Sequence, residues 1–180
     1  MFRKATENDL DAIAAIYEKL HDLEAAGRGC TGWIRDVYPT RETAQTALAL
    51  GDLFVEEAEG AVVAAARINQ EQVPEYADCP WSIEAPPEQV MVLHTLVVDP
   101  EAAGKGYGSR FVAFYEDCAR RQGCTCLRLD TNARNLPART LYKKLGYREA
   151  GIVACDFNGI PGISLVCLEK RPEDVPAGKA

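Results

Sequence analysis

Basic charge is scarce in this chain: 20 Lys and Arg stand against 27 Asp and Glu, a formal net charge of −7 over 180 residues. Neutralising a phosphate backbone takes clustered Lys and Arg, so non-specific nucleic-acid binding is excluded, while an acidic surface tolerates or attracts a cationic amine. Long apolar runs are missing too. No stretch approaches the roughly 20 apolar residues that span a bilayer, so no membrane partner is expected. The start, Met1-Phe2-Arg3-Lys4-Ala5-Thr6-Glu7, has no apolar signal core. Only His21 and His94 could join Cys124-x-Cys126 in a zinc site, and that spacing is one residue short of the usual pair, so no metal is expected. The two cysteines read instead as small apolar residues on the same face of a strand. Seven scattered cysteines, an odd number, imply reduced thiols and a cytoplasmic location.

What is there suffices for one substantial core: 47% of the residues are hydrophobic and 26% charged, an ordinary globular balance. We expect a single domain over residues 1–171 and a short tail over 172–180. Thr6 precedes acidic Glu7 and Asp9, and apolar Leu10, Ile13, Ala14, Ile16, Tyr17 and Leu20 then recur at helical spacing. Thr40 is placed to cap a second helix that runs to Leu50 and stops at Gly51. Strands 53–57 and 62–68 flank a turn at Glu59-Gly60. Residues 70–87 hold four prolines and no periodic pattern, which predicts a long functional or mobile loop. Val90 to Val98 is almost continuously apolar, as a central strand buried on both faces would be. A helix over about 106–122 follows, with Phe111, Phe114, Tyr115 and Cys118 on one side. Then come a strand over 124–131, a helix over 136–145, and strands near 148–156 and 163–168 around the turn Asn158-Gly159-Ile160-Pro161-Gly162. This order predicts an α/β (α+β) fold, a mixed sheet with helices on its faces.

Chemistry concentrates at Val97-Val98-Asp99-Pro100-Glu101-Ala102-Ala103-Gly104-Lys105-Gly106-Tyr107-Gly108-Ser109, where a strand passes into a helix through a glycine-spaced turn. Without side chains at 104, 106 and 108 a ligand can reach the backbone, and free N–H groups at a helix N-terminus favour an anion. A dinucleotide fingerprint would need Gly at 109 or 111, where Ser109 and Phe111 stand, and a Walker loop would need Ser or Thr after Gly104-Lys105. A plain flexible turn is the remaining alternative. A second block lies downstream: Asn135-x-x-Ala138-x-x-Leu141-Tyr142-x-x-x-Gly146-Tyr147. Seven residues make about two helical turns, so Asn135 and Tyr142 lie near one face.

In this order and separation the two blocks resemble the GNAT superfamily of acetyl-CoA-dependent N-acetyltransferases, over Glu88 to Tyr147. The resemblance implies a mostly antiparallel sheet of about six to seven strands with helices on both faces. It implies acetyl-CoA as cosubstrate, its pyrophosphate on the amides of Gly104, Lys105, Gly106, Tyr107, Gly108 and Ser109, and its pantetheine arm along Leu96, Val97 and Val98 and beside Asn135 and Ala138. Ala103 stands where the family usually has Gln or Arg. Tyr142 would be general acid to the leaving thiolate, with an oxyanion near the Val98 amide. A base must take a proton from the acceptor ammonium. His94, sharing a face with Leu96 unless a bulge intervenes, is one candidate, and Asp130, at the end of the next strand, is the other. The acceptor is a primary amine of a small molecule or peptide, and the acidic residues Glu71, Glu75, Asp78 and Glu84 suggest a rim for it. A homodimer is allowed. A non-catalytic acyl-CoA-binding sensor would keep the turn but would not require Tyr142.

Overall fold

A computed structural model describes residues 1–172, so the expected tail, apart from Pro172, lies outside the described residues. Near the N-terminus the Thr6 N–H and hydroxyl donate to the Asp9 carboxylate at 2.7 and 2.9 Å, closing a single 3-10 turn from which α1 (Leu10–Ala25) departs. Its stripe of Ile13, Ile16 and Tyr17 is buried. Thr40 caps α2 (Arg41–Leu50), and Gly51, at φ 77°, ends it.

The remaining elements are β1 (Phe2–Lys4), β2 (Leu53–Ala58), β3 (Ala61–Asn69), β4 (Val90–Val98), α3 (Tyr107–Arg121), β5 (Cys126–Asn132), α4 (Leu136–Lys144), β6 (Arg148–Phe157) and β7 (Ile160–Lys170). The strands form one seven-stranded sheet in the order β1-β2-β3-β4-β5-β7-β6, in which β4 and β5 are parallel and the other neighbours antiparallel. Helices α3 and α4 cover one face, where Met91, Leu93, Phe111, Tyr115, Leu127 and Leu168 pack together. On the other face α1 and α2 cover the β2–β3 side of the sheet, through Leu53, Val55, Ala65 and Val97.

Four expectations need correction. Strand β1 was not anticipated, because three residues give no alternation to read. The final hairpin turns on two residues, Asn158 (φ 51°) and Gly159 (φ 77°), so β7 begins at Ile160 rather than 163. Cys124 lies before β5 and packs on the α3 side, whereas Cys126 packs on the opposite face, so the pair does not share a face. Finally, the segment between β3 and β4 is not a plain loop: it contains a 3-10 turn at Pro74–Asp78 and packs on the sheet as a cover. Its residues Tyr76, Cys79 and Trp81 pack over Val90, Val92, Cys126, Leu165 and Cys167, a part of the sheet separate from the α1–α2 and α3–α4 cores. Glu169 holds it by accepting from the Ser82 and Ile83 N–H groups at 3.1 and 3.0 Å, and Arg128 by donating to the Ile83 carbonyl at 3.0 Å.

Candidate active site

Strand β4 is where the sheet opens. Arg67 of β3 stands opposite His94, but Ala65 stands opposite Val97, so two steps on β3 match three on β4. The extra residue is a bulge at Thr95, whose φ of 51° is unusual for a β-branched side chain. Beyond it the parallel pairing with β5 has ended, the last pair being Leu93 with Leu129. The Asp99 N–H donates to the Val63 carbonyl at 2.8 Å. In an antiparallel ladder the neighbouring Val98 therefore turns its N–H and C=O away from β3, into the gap beside β5.

A cavity of about 450 Å³ opens beside β4 at His94 to Leu96, and neither Val98 nor any residue of the glycine turn lines it. His94, Leu96, Asp130, Asn135, Ala138 and Tyr142 all line it, so the structure brings together candidates drawn from three separate elements. Val97 faces the α1–α2 core and Val98 packs against the opposite one. None of Glu71, Glu75, Asp78 or Glu84 lines the cavity, so the acidic rim expected from the loop is absent from its wall.

The glycine turn lies at the end of β4. After Asp99 accepts from the Glu101 N–H at 2.9 Å, a single 3-10 turn leads to Gly104 and Gly106, both at φ 79°, and Gly106 is the N-cap of α3. Among the described residues, the six successive N–H groups from Gly104 to Ser109 have no protein acceptor, and the first α3 amide to be bonded is that of Arg110, to Gly106. A Cβ at Gly104 or Gly106 would meet only open space, whereas at Gly108 it would come within 3.3 Å of Leu141, which is how closely α3 approaches α4. Lys105 is exposed, and Tyr107 is buried beneath the Arg110 guanidinium, 4.2 Å from its ring centre. Lys19 of α1 donates to Asp99 at 2.9 Å, fixing the turn to the helix layer.

The two candidate bases differ in surroundings. His94 Nε2 bonds the Asn69 side-chain oxygen at 2.9 Å, and burial together with nearby Arg67 holds its pKa down to about 4. Asp130 is pushed up to about 6, chiefly by burial, against the opposing effect of the Tyr76 hydroxyl, which donates to its Oδ2 at 2.7 Å. Burial raises Tyr142 above the usual phenol range, with the Asp130 charge adding to it, and its hydroxyl has no protein partner among the described residues. Asn135 is the N-cap of α4: its Oδ1 accepts from the Ala138 N–H at 3.2 Å and its Nδ2 donates to Thr131 at 3.1 Å.

Sequence reasoning missed Tyr38, Thr95, Arg67 and Tyr76. Tyr38 and Thr95 are joined hydroxyl to hydroxyl across the cavity wall, and Arg67 is neutralised by Asp52 at 3.0 Å and by Glu71. Nothing local in the sequence marks these residues; only the folded register assembles them.

This architecture is that of known acetyltransferases. A GNAT-family acetyltransferase of Streptococcus agalactiae superposes with a TM-score of 0.79 at 20% identity, covering 95% of this chain and 94% of its own. A Salmonella typhimurium acetyltransferase solved with its cofactor acetyl-CoA gives 0.65 at 20% identity, covering 100% and 98%. The ribosomal-protein-S18-alanine N-acetyltransferase of Escherichia coli gives 0.66 at 18% identity, covering 99% and 96%. Residues 16–147 match the model of the acetyltransferase (GNAT) family, and the chain belongs to that family. The uncharacterized N-acetyltransferase YhfO of Bacillus subtilis is 39% identical over 62 residues, a stretch that is 34% of this chain and 42% of the relative. No helix among the described residues is long and apolar enough to cross a membrane, and no group of three potential metal ligands occurs among them.

Proposed function

We propose that this protein transfers the acetyl group of acetyl-CoA to a primary amine by direct attack in a ternary complex. The observation that carries the reading is a single cavity holding a carboxylate with a raised pKa, Asp130, and a phenol, Tyr142, without a protein partner among the described residues. Asp130, at about 6, is largely ionised at neutral pH yet basic enough to take a proton, which suits a general base. His94, at about 4 and bonded to Asn69, is a weaker base and is assigned to the polar wall.

The residues present fit acetyl-CoA. Six bare amides from Gly104 to Ser109 offer donors to a pyrophosphate, and the open space around Gly104 and Gly106 lets it approach. Ala103 adds no side-chain donor, so the backbone bears this binding. The free edge of β4 at Val98 offers backbone groups to the pantetheine amides. When bound, acetyl-CoA supplies the activated acyl carbon. The chain's own groups do the rest: Asp130 takes the ammonium proton directly or through water, the Val98 N–H faces the developing oxyanion, and Tyr142 protonates the departing sulfur. The acceptor is a small-molecule or peptide amine, and the odd number of cysteines supports a cytosolic setting.

Release of CoA from acetyl-CoA should be measured across a panel of lysine, a polyamine, an amino sugar and peptides with free N-termini. Turnover with at least one amine is expected. Tight acetyl-CoA binding with no CoA release from any amine would favour a sensor instead.

A further inference from the structure

Tyr76 belongs to the covering segment between β3 and β4, outside the motifs that mark the family. It is 3% exposed, and its hydroxyl reaches through a lining of Val90, Val92 and Cys167 to Oδ2 of Asp130 at 2.7 Å. Oδ1 of Asp130 has no protein partner among the described residues and is not sealed from the cavity that Asp130 lines. One oxygen is therefore held and the other left open.

The Tyr76 ring is itself held from behind. Trp81 packs edge-on to it with centres 5.0 Å apart, and the Trp81 indole N–H donates to the Tyr76 carbonyl at 2.8 Å. On the indole lies the Arg128 guanidinium, 4.2 Å from the ring centre, and Arg128 also donates to Ile83. Arg128 and Asp130 are two residues apart on β5 and point to the same face. The chain of contacts thus leaves β5 at Arg128, passes through Trp81 and Tyr76, and returns to β5 at Asp130.

We propose that Tyr76 is a positioning residue for acetyl transfer: its hydroxyl fixes the Asp130 carboxylate by one oxygen and aims the other at the acceptor amine. This rests on the reading of Asp130 as general base. A phenol that donates to the ionised carboxylate favours that form, so its loss should make Asp130 harder to ionise. Removing a hydrogen bond to a charged group moves such a pKa by about one unit. A Tyr76 that served only the fold would lower Tm when altered and leave the titration of Asp130 where it was.

The test is Tyr76→Phe, which keeps the ring and its packing. The Asp130 carboxyl is titrated in the full-length protein by carbon-detected NMR, assigned with Asp130→Asn. In parallel the pH profile of kcat/KM is measured with acetyl-CoA and the best amine of the panel. The expected result is an upward move of about one pH unit in both the NMR titration and the acidic limb, together with a lower alkaline plateau, because the carboxylate has lost the bond that aims it. An unmoved NMR titration overturns the role of Tyr76, whatever Asp130 does. A moved titration with an unmoved limb overturns it by removing Asp130 as the base, which a retained limb in Asp130→Asn would independently report. Should Tyr76→Phe not fold, Trp81→Phe loosens the same ring from behind. A smaller upward move in both readouts is then expected, and none overturns the proposal.

Discussion

His94 and Leu96, two residues apart in a β-strand, lie on opposite faces of the sheet. His94 pairs with Arg67 on the α1–α2 side, whereas Leu96 packs against the α3–α4 core. Thr95, at φ 51°, makes the difference by adding one residue to the strand. The parallel register sets Val90 beside Cys126 and Leu93 beside Leu129, so one more step would put His94 beside Asp130. The two candidate bases both line the cavity where the strands part, and their environments decide between them.

The pH profile should separate them. With Asp130 as base, kcat/KM has an acidic limb near pH 6, and Asp130→Asn should remove it and lower the alkaline plateau by about 100-fold to 10,000-fold. His94→Gln should leave the limb in place, since a histidine held at about 4 titrates well below it. A limb lost in His94→Gln and kept in Asp130→Asn would reverse the assignment.

Asp130 should also cost stability. Its pKa in the folded chain is about 6 against 3.8 for an unperturbed Asp, so the folded state binds the proton more tightly than the unfolded one. That advantage is complete below about pH 4 and is lost as pH rises through 6. Asp130→Asn, which can still accept from Tyr76, should therefore raise stability at pH 7 by on the order of 1–3 kcal/mol and gain little at pH 4. Thermal melts at both pH values check the sign; a lower Tm at pH 7 in the variant would contradict it.

For Tyr142 the expectation is a kinetic effect without a binding effect. Its hydroxyl bonds no protein group among the described residues, so Tyr142→Phe should fold normally and bind acetyl-CoA as wild type does. Turnover should fall about 100-fold to 10,000-fold on an amine for which chemistry limits the rate. Wild-type turnover would leave the ring as packing between α4 and Tyr147, whose ring centre is 5.9 Å away.

The amide turn can be tested with a matched control. Gly106 (φ 79°) and Gly123 (φ 72°) are both strained for any side chain and both open to space, but Gly123 lies at the far end of α3. Gly106→Glu and Gly123→Glu should lose similar stability. Only the first should weaken acetyl-CoA binding, by tenfold or more in calorimetry, because it adds bulk and negative charge beside the bare amides. Equal affinities would remove the turn from the site.

Much of this was readable where chemistry is local. Thr40 and Gly51 mark the ends of α2, Glu59-Gly60 marks the first hairpin, and the glycines at 104, 106 and 108 mark the turn, since each acts through its own backbone or its nearest neighbours. The bulge was not readable, because a β-branched Thr95 carries no sign that its φ will be positive. Nor was the Tyr76–Asp130 bond, which joins residues 54 apart through a segment without periodicity. The preference between the bases depended on both, so spacing alone left it open.

The turn proposed to bind the cofactor's phosphates at the start of α3 offers backbone dipoles in a molecule whose formal net charge is −7. At long range the protein as a whole therefore repels a polyanionic cofactor, and attraction begins only within the last few ångströms of the helix end. Added salt screens the long-range repulsion more than the short contact. Association with such a cofactor should thus quicken as ionic strength rises, opposite to the behaviour of a site assembled from lysine and arginine.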